Sequence, residues 1–184
     1  VTTADNATRG FAMVNTQTGE TVEVDAFVDG AGTSTGVDQG SYVNPNTGEL
    51  NVDFDRGDYV PDGSHLVVTT EDAAGNTNST LVVLDEDGNS VVDMGAAALD
   101  NFNIGAIDLE FADDSEVTIS VADLEALSDN DNSLVVHGDT QDSLTLDGVA
   151  TATGDTQVIN GQTYNVYSVG TNGGELIVSD DVRF

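Results

Sequence analysis

The residues best placed to do chemistry are carboxylates gathered in turns that glycine punctuates. A hard cation such as Ca2+ takes about six to eight oxygens, and carboxylates on alternate residues of a turn supply them together with backbone carbonyls. In Asp85-Glu86-Asp87-Gly88-Asn89, the residues Asp85, Asp87 and Asn89 reproduce the opening of a calcium loop, and Gly88 permits its sharp bend. No glutamate stands where it would complete an EF-hand. Asp53 and Asp55 share one side of a strand end, and Asp58 returns after Gly57, so three carboxylates can converge. Asp129 and Asp131 form a third candidate pair. Asp113-Asp114 with Glu116, and Asp180-Asp181, read as surface, because adjacent side chains on a strand point to opposite faces.

Other chemistries find less support. With no Cys there is no disulfide framework, thiolate zinc site or cysteine nucleophile, and with no Lys there is no Schiff base or P-loop lysine. His65 and His137 are the only histidines. Neither has a Ser or Asp at a diagnostic spacing, and both read as structural. Paired carboxylates for glycoside hydrolysis are available among 34 acids, but nothing singles out a pair, and a sugar cleft wants aromatic platforms where this chain has no Trp and four Tyr. The expectation is a protein that is not an enzyme. Arg56-Gly57-Asp58 spells the tripeptide that integrins recognise, a three-residue match that chance supplies often.

The 184 residues hold 34 acidic side chains against 3 basic ones, a formal charge of −31. Such a chain repels phosphates and anionic lipid surfaces instead of displacing their counterions, which excludes unaided nucleic-acid binding. Its natural partners are cations. Crowded carboxylates in turns cost repulsion, whereas Ca2+ makes each cluster a cross-link that stabilises only the folded state. The competing reading is a solvated acidic surface. No stretch approaches the apolar length of a membrane span, and the opening Val1-Thr2-Thr3, with neither Met nor a signal core, is expected of a piece of a longer chain.

The elements that must position these groups read as mostly β. Runs of alternating Val, Leu, Ile, Thr and Tyr between Gly, Asn and Asp clusters predict antiparallel strands. They fall at residues 21–28, 65–70, 80–84, 133–137, 143–146, 163–169 and 175–178. A turn signal, Val14-Asn15 with Thr18-Gly19-Glu20, repeats as Val43-Asn44 with Thr47-Gly48-Glu49, although hairpin loops converge on these residues without duplication. One helix is predicted over 120–127, where Ser120 and Asp123 form a capping box; Asp93 to Leu99 offers a second helical turn that Gly95 weakens. The fold class is mainly β: a calcium-bound antiparallel β-sandwich, either one extended sandwich or two small ones, with one or two short helices. A boundary at the acidic turn near residue 88 divides the chain into 1–88 and 89–184. A binding-pocket rim is expected in the Gly-, Thr- and Ser-rich loops Gly30 to Gly40 and Gly148 to Asp155.

The segment from Pro61-Asp62-Gly63 through the strand His65 to Thr70 to Glu71-Asp72-Ala73-Ala74-Gly75-Asn76 closely resembles the end of bacterial immunoglobulin-like repeats in giant surface adhesins. In that family the acidic residues near a module junction bind Ca2+ and stiffen the chain. By that resemblance Glu71 and Asp72 join Asp85 and Asp87 as candidate ligands. The second half carries Ile107-Asp108-Leu109, Val117 to Ser120 with Ala122-Asp123-Leu124, and Gly138-Asp139 with Asp142 to Leu146 and Gly161 to Tyr167. This succession is similar to a module near the C-terminal end of type I-secreted repeats-in-toxin (RTX) adhesins. The glycine- and aspartate-rich nonapeptide repeats of that family do not occur here, so no calcium β-roll is implied.

The resemblance implies an extracellular, calcium-stiffened segment on the surface of a Gram-negative bacterium, with a marine host suited by the acid content. It also implies neighbouring domains of the same adhesin as partners, and a monomer. Ligand-gripping and spacing modules both occur in such proteins. Few aromatics argue against a sugar platform and no flat Thr-x-Thr ladder suits ice, which leaves a calcium-assisted site for a protein or peptide on another cell. The alternatives are a non-binding calcium-stiffened spacer and, third, a halophilic hydrolase.

Overall fold

The computed structural model describes residues 2–3, 7–13, 21–28, 34–61, 64–84, 90–95, 99–112, 114–127 and 132–184. The chain is mainly β. In the first half β1 covers Thr2–Thr3, β2 Ala7–Met13, β3 Thr21–Val28, β4 Ser34–Gly36 and β5 Gln39–Val43. They are followed by β6 (Leu50–Phe54), β7 (Val60–Pro61), β8 (Ser64–Glu71) and β9 (Thr77–Val82). The second half holds β10 (Ser90–Asp93), β11 (Ile104–Asp108), β12 (Ser115–Ser120), the helix α1 (Val121–Leu127), β13 (Ser133–His137) and β14 (Ser143–Asp147). Strands β15 (Ala150–Ile159), β16 (Gln162–Val169) and β17 (Gly174–Ser179) close the chain.

Three sheets result. A small antiparallel sheet runs β1-β2-β6-β5, with β7 also on β2. A nine-stranded sheet runs β15-β16-β17-β13-β11-β9-β8-β3-β4, and a three-stranded sheet runs β10-β12-β14. Alternation of side chains gives the large sheet two apolar faces. Val24, Leu66, Val68 and Val82 on one face pack with Phe11, Val52, Phe54 and Val60 of the small sheet. Phe27, Val67, Leu81, Ile107, Val136 and Val178 on the other face pack with Val92, Val117, Ile119 and Leu144 of the three-stranded sheet and with Leu124 and Leu127 of α1. The large sheet is thus the shared middle layer of a β-sandwich architecture.

Antiparallel pairing dominates, as expected, but β9-β11-β13-β17 and β10-β12-β14 are parallel ladders. Apolar alternation reports which face a residue takes and not which way a strand runs. Direction follows here from the route of the chain. Each passage from the large sheet through a strand of the small parallel sheet and back returns the next strand in the same sense, as parallel pairing requires. The β9–β11 pairing carries the large sheet across the position of the residue 88 boundary, which itself lies outside the described residues.

Local signals explain the elements the sequence predicts. The Ser120 amide donates to Asp123 Oδ2 (2.8 Å) and the Asp123 amide to Ser120 Oγ (3.1 Å), so both orphan donors at the start of α1 are satisfied reciprocally. The second copy of the turn signal closes β5 onto β6. Asn44 N donates to Glu49 O and Gly48 N to Asn44 O, both at 2.8 Å, with Gly48 at a φ of 79° that favours glycine. The first copy, at 14–20, lies outside the described residues. Asp93 ends β10 and a turn follows at 94–95, where a helical turn was expected; residues 96–98 lie outside the described residues.

Candidate functional site: an acidic groove on the middle sheet

Where the small sheet stops short of the large one, the exposed part of the large sheet's face becomes the floor of a groove of about 760 Å3. That volume falls in the range of ligand pockets, roughly 300–1,000 Å3. One wall is Phe11, Ala12 and Met13 of β2 with Glu49 before β6; the opposite wall is Ile159 to Gln162 at the β15–β16 turn. Alternate residues of the floor strands, Val68, Thr70, Thr80, Val82, Asp108 and His137, point into it because the side-chain period of a strand is two. Glu110, Phe111, Asn78 and Tyr164 complete the lining.

The floor passes from apolar to polar along one row across the sheet. Leu66 pairs with Val82, Val82 with Asp108, and Asp108 with His137. Ser179 follows the Val136–Val178 pair and lies opposite Tyr164. The imidazole Nδ1 of His137 and the Tyr164 hydroxyl are hydrogen-bonded, with ring centroids 5.3 Å apart and planes at 87°. At the rim, Gln162 Nε2 donates to Asp180 Oδ1 (2.8 Å) and Asp181 Oδ2 (2.7 Å), which fixes the end of the groove. Asp180 and Asp181 therefore have a structural partner at the surface where the sequence left them.

Burial raises the Asp108 carboxyl above its usual 3.8, and the nearby Glu110 charge adds to this; the Glu110 amide, donating to Asp108 Oδ1 at 3.1 Å, and the His137 ring oppose it. The Tyr164 phenol is likewise raised, first by burial and then by the charges of Glu110, Asp108 and Asp180. These groups therefore sense one another. No Lys or Arg lines the groove. Arg9 lies over the Tyr59 ring at 4.8 Å, and Arg183 donates from its Nε to the Asp142 carbonyl and from its Nη2 to that of Gln141. Chemically, the groove offers carboxylate acceptors, a phenol and aromatic and aliphatic walls.

Of the residues the sequence nominated for calcium, the described ones do not line the groove. Asp53 is exposed on β6, with Asp55 and Asp58 exposed in the turn beyond it, where the Asp58 amide donates to the Asp55 carbonyl (3.0 Å). Glu71 ends β8 and is exposed. Asp72 organises its own loop: Oδ1 accepts the amides of Ala74 (2.8 Å) and Asn76 (2.9 Å), and Oδ2 accepts Asn76 Nδ2 (2.7 Å). These hydrogen bonds hold its carboxyl below the usual range. Asp85, Asp87, Asn89, Asp129 and Asp131 lie outside the described residues. Among the described residues no three His, Asp or Glu side chains are arranged to hold a metal ion.

The described residues of the loops expected to rim a pocket do not line this groove. No described residue of 30–40 lines it, and residues 150–155 belong to strand β15 instead of a loop. Asp108 with Glu110, His137 and Tyr164 are not legible as a group in the sequence because three separate segments deliver them, and only the sheet register brings them together. His65 is buried and its Nδ1 accepts the Leu84 amide (3.2 Å), a contact within the fold. Among the described residues no helix is long and apolar enough to cross a membrane. Compared with known proteins, the chain matches no family model, no curated protein and no solved structure.

Proposed function

We propose that this chain is a calcium-dependent extracellular adhesion module that binds a protein or peptide segment of another cell, without catalysis. The observation that carries the binding part is the groove: an open concave floor on a rigid sheet, with apolar walls and a few convergent polar groups, which is the usual character of a recognition site. The calcium part is supported by the charge of −31 and by the closeness in sequence of Asp85 and Asp87, with the Asn89 carbonyl beyond them, and of Asp129 and Asp131, carboxylates whose repulsion a divalent cation would relieve. The remainder rests on the resemblance to RTX adhesins: type I secretion, a place among neighbouring domains on the surface of a Gram-negative bacterium, and attachment within biofilms.

The test is thermal unfolding of the calcium-free chain during titration with CaCl2, against NaCl of matched ionic strength, followed by binding of the labelled chain to intact cells in CaCl2 or EDTA. A large rise in melting temperature at millimolar Ca2+ that NaCl does not reproduce, with cell binding lost in EDTA, is expected. Equal stabilisation by NaCl overturns the calcium mechanism and leaves the acid as surface adaptation. A spacer role is the second reading, favoured by the β9–β11 ladder that joins both halves in one sheet. It predicts calcium stabilisation with no cell binding.

A further inference from the structure

We infer that the groove selects a basic side chain, an arginine or lysine presented by an extended segment of a partner protein. This inference rests on the peptide-binding reading above and names the chemistry of its ligand. Three carboxylates, Glu49, Asp108 and Glu110, line the groove, and none has a Lys or Arg beside it there. The three arginines of the chain stand outside it. In a solvent-exposed patch such charges would be screened, but Asp108 is half-buried on the floor, where fewer waters compensate it. A guanidinium or ammonium arriving beside it supplies the missing counter-charge and the hydrogen-bond donors together.

The walls suit the rest of such a side chain. Lys and Arg carry long methylene stems that pack on apolar surface while the charged head stays polar. Met13, partly buried at the wall, offers that surface, and the exposed ring of Phe111 offers a face to a cation. An acidic or phosphorylated segment meets the opposite situation, with like charges and no cationic Lys or Arg donor in the lining. The groove is also open to solvent instead of forming a closed hole, which fits a side chain carried on a continuing backbone. The overall charge of −31 adds long-range attraction for the same ligands and raises the encounter rate.

The experiment titrates the isotopically labelled chain, in constant CaCl2 and about 0.15 M NaCl to screen weak surface attraction. The probe is the capped peptide acetyl-Gly-Gly-Arg-Gly-Gly-amide, and controls carry citrulline, an uncharged analogue of the same shape, or Glu in place of Arg. Saturable amide shifts confined to the residues around Asp108, Glu110, His137 and Tyr164 are expected with Arg alone. Glu110→Gln, at an exposed position, and Asp108→Asn, which keeps the acceptor for the Glu110 amide, should each weaken binding roughly five- to tenfold, while Glu116→Gln, exposed on β12 and outside the groove, should not. Shifts spread over the acidic surface, or binding unchanged in the two groove variants, overturn the inference. Saturation of the groove by the citrulline peptide overturns the charge selection but keeps the peptide-binding reading. If no peptide perturbs the groove, both fall.

Discussion

His137 on β13 and Tyr164 on β16 are hydrogen-bonded across the strand β17 that separates them. The small Ser179, in the row between them, leaves the space. This contact ties the parallel centre of the large sheet to its antiparallel end. Tyr164→Phe keeps the ring that packs with Val166 and Ile177 but removes the hydroxyl. It should cost about 0.5–1.5 kcal/mol in urea unfolding. Because burial and neighbouring carboxylates raise the Tyr164 phenol above 10.0, the difference in absorbance at 295 nm between the two proteins should titrate above that value.

The capping box of α1 is a second place where a short contact can be removed cleanly. Ser120→Ala leaves the Asp123 amide without its partner, and Asp123→Ala leaves the Ser120 amide without one. Each should destabilise the fold by about 0.5–2 kcal/mol. The double variant should cost less than the sum, because the two hydrogen bonds form one reciprocal unit. Strict additivity in the double-mutant cycle would show that the two contacts act independently.

Local signals in this sequence are legible and long-range ones are not. The run 21–28 is strand β3 and the run 133–137 is strand β13, residue for residue, because Val, Phe, Leu and His alternate there with residues of the opposite face. Ser120 and Asp123 likewise declare the helix start three residues apart. What alternation cannot express is strand direction, and the β11-β13-β17 ladder, for which antiparallel pairing is the sequence expectation, is parallel. Nor can it express neighbourhood. Asp108, His137 and Tyr164 become a row only through register between segments that the sequence separates widely. The loops around Gly30 and Gly148 drew attention through composition, whereas the groove is built on strand faces.

Asp142 is fully buried, and its carboxylate bridges two backbone donors: Oδ1 accepts the Ser115 amide (3.0 Å) and Oδ2 the Asp139 amide (2.7 Å). Asp142→Ala orphans both, at about 1–3 kcal/mol for each that water cannot reach. Asp142→Asn retains one acceptor but turns an NH2 towards the other amide, so it should recover only part of the loss. Gly138→Ala should mimic it, since an added methyl would sit 2.7 Å from Asp142 Oδ2 and 2.8 Å from Val182 Cγ2. Chemical denaturation ranks the three.

The same burial sets a pH dependence. The carboxyls of Asp25, Asp108 and Asp142 are all raised above 3.8, chiefly by burial. A raised carboxyl contributes stability that is complete below the unfolded value and is lost as pH rises through the folded one. Acidification from neutral pH towards about 4 should therefore raise the melting temperature. Relief of the −31 repulsion acts in the same direction but is suppressed by NaCl, whereas the burial contribution is not. In high salt, Asp108→Asn should flatten part of the remaining slope.

Asp72 separates two roles for one carboxylate. Its oxygens already receive the Ala74 and Asn76 amides and the Asn76 side chain, which keep its carboxyl low without any metal. If that is its whole task, Asp72→Ala lowers the melting temperature equally with and without CaCl2. A calcium ligand would instead show most of its loss in CaCl2, because the ion's stabilisation follows its affinity for the folded state. The loop geometry leads us to expect equal losses, with the calcium response surviving in Asp72→Ala. A response abolished by this one substitution would return Asp72 to the set of ligands that the resemblance assigns, and would place an ion at the β8–β9 turn.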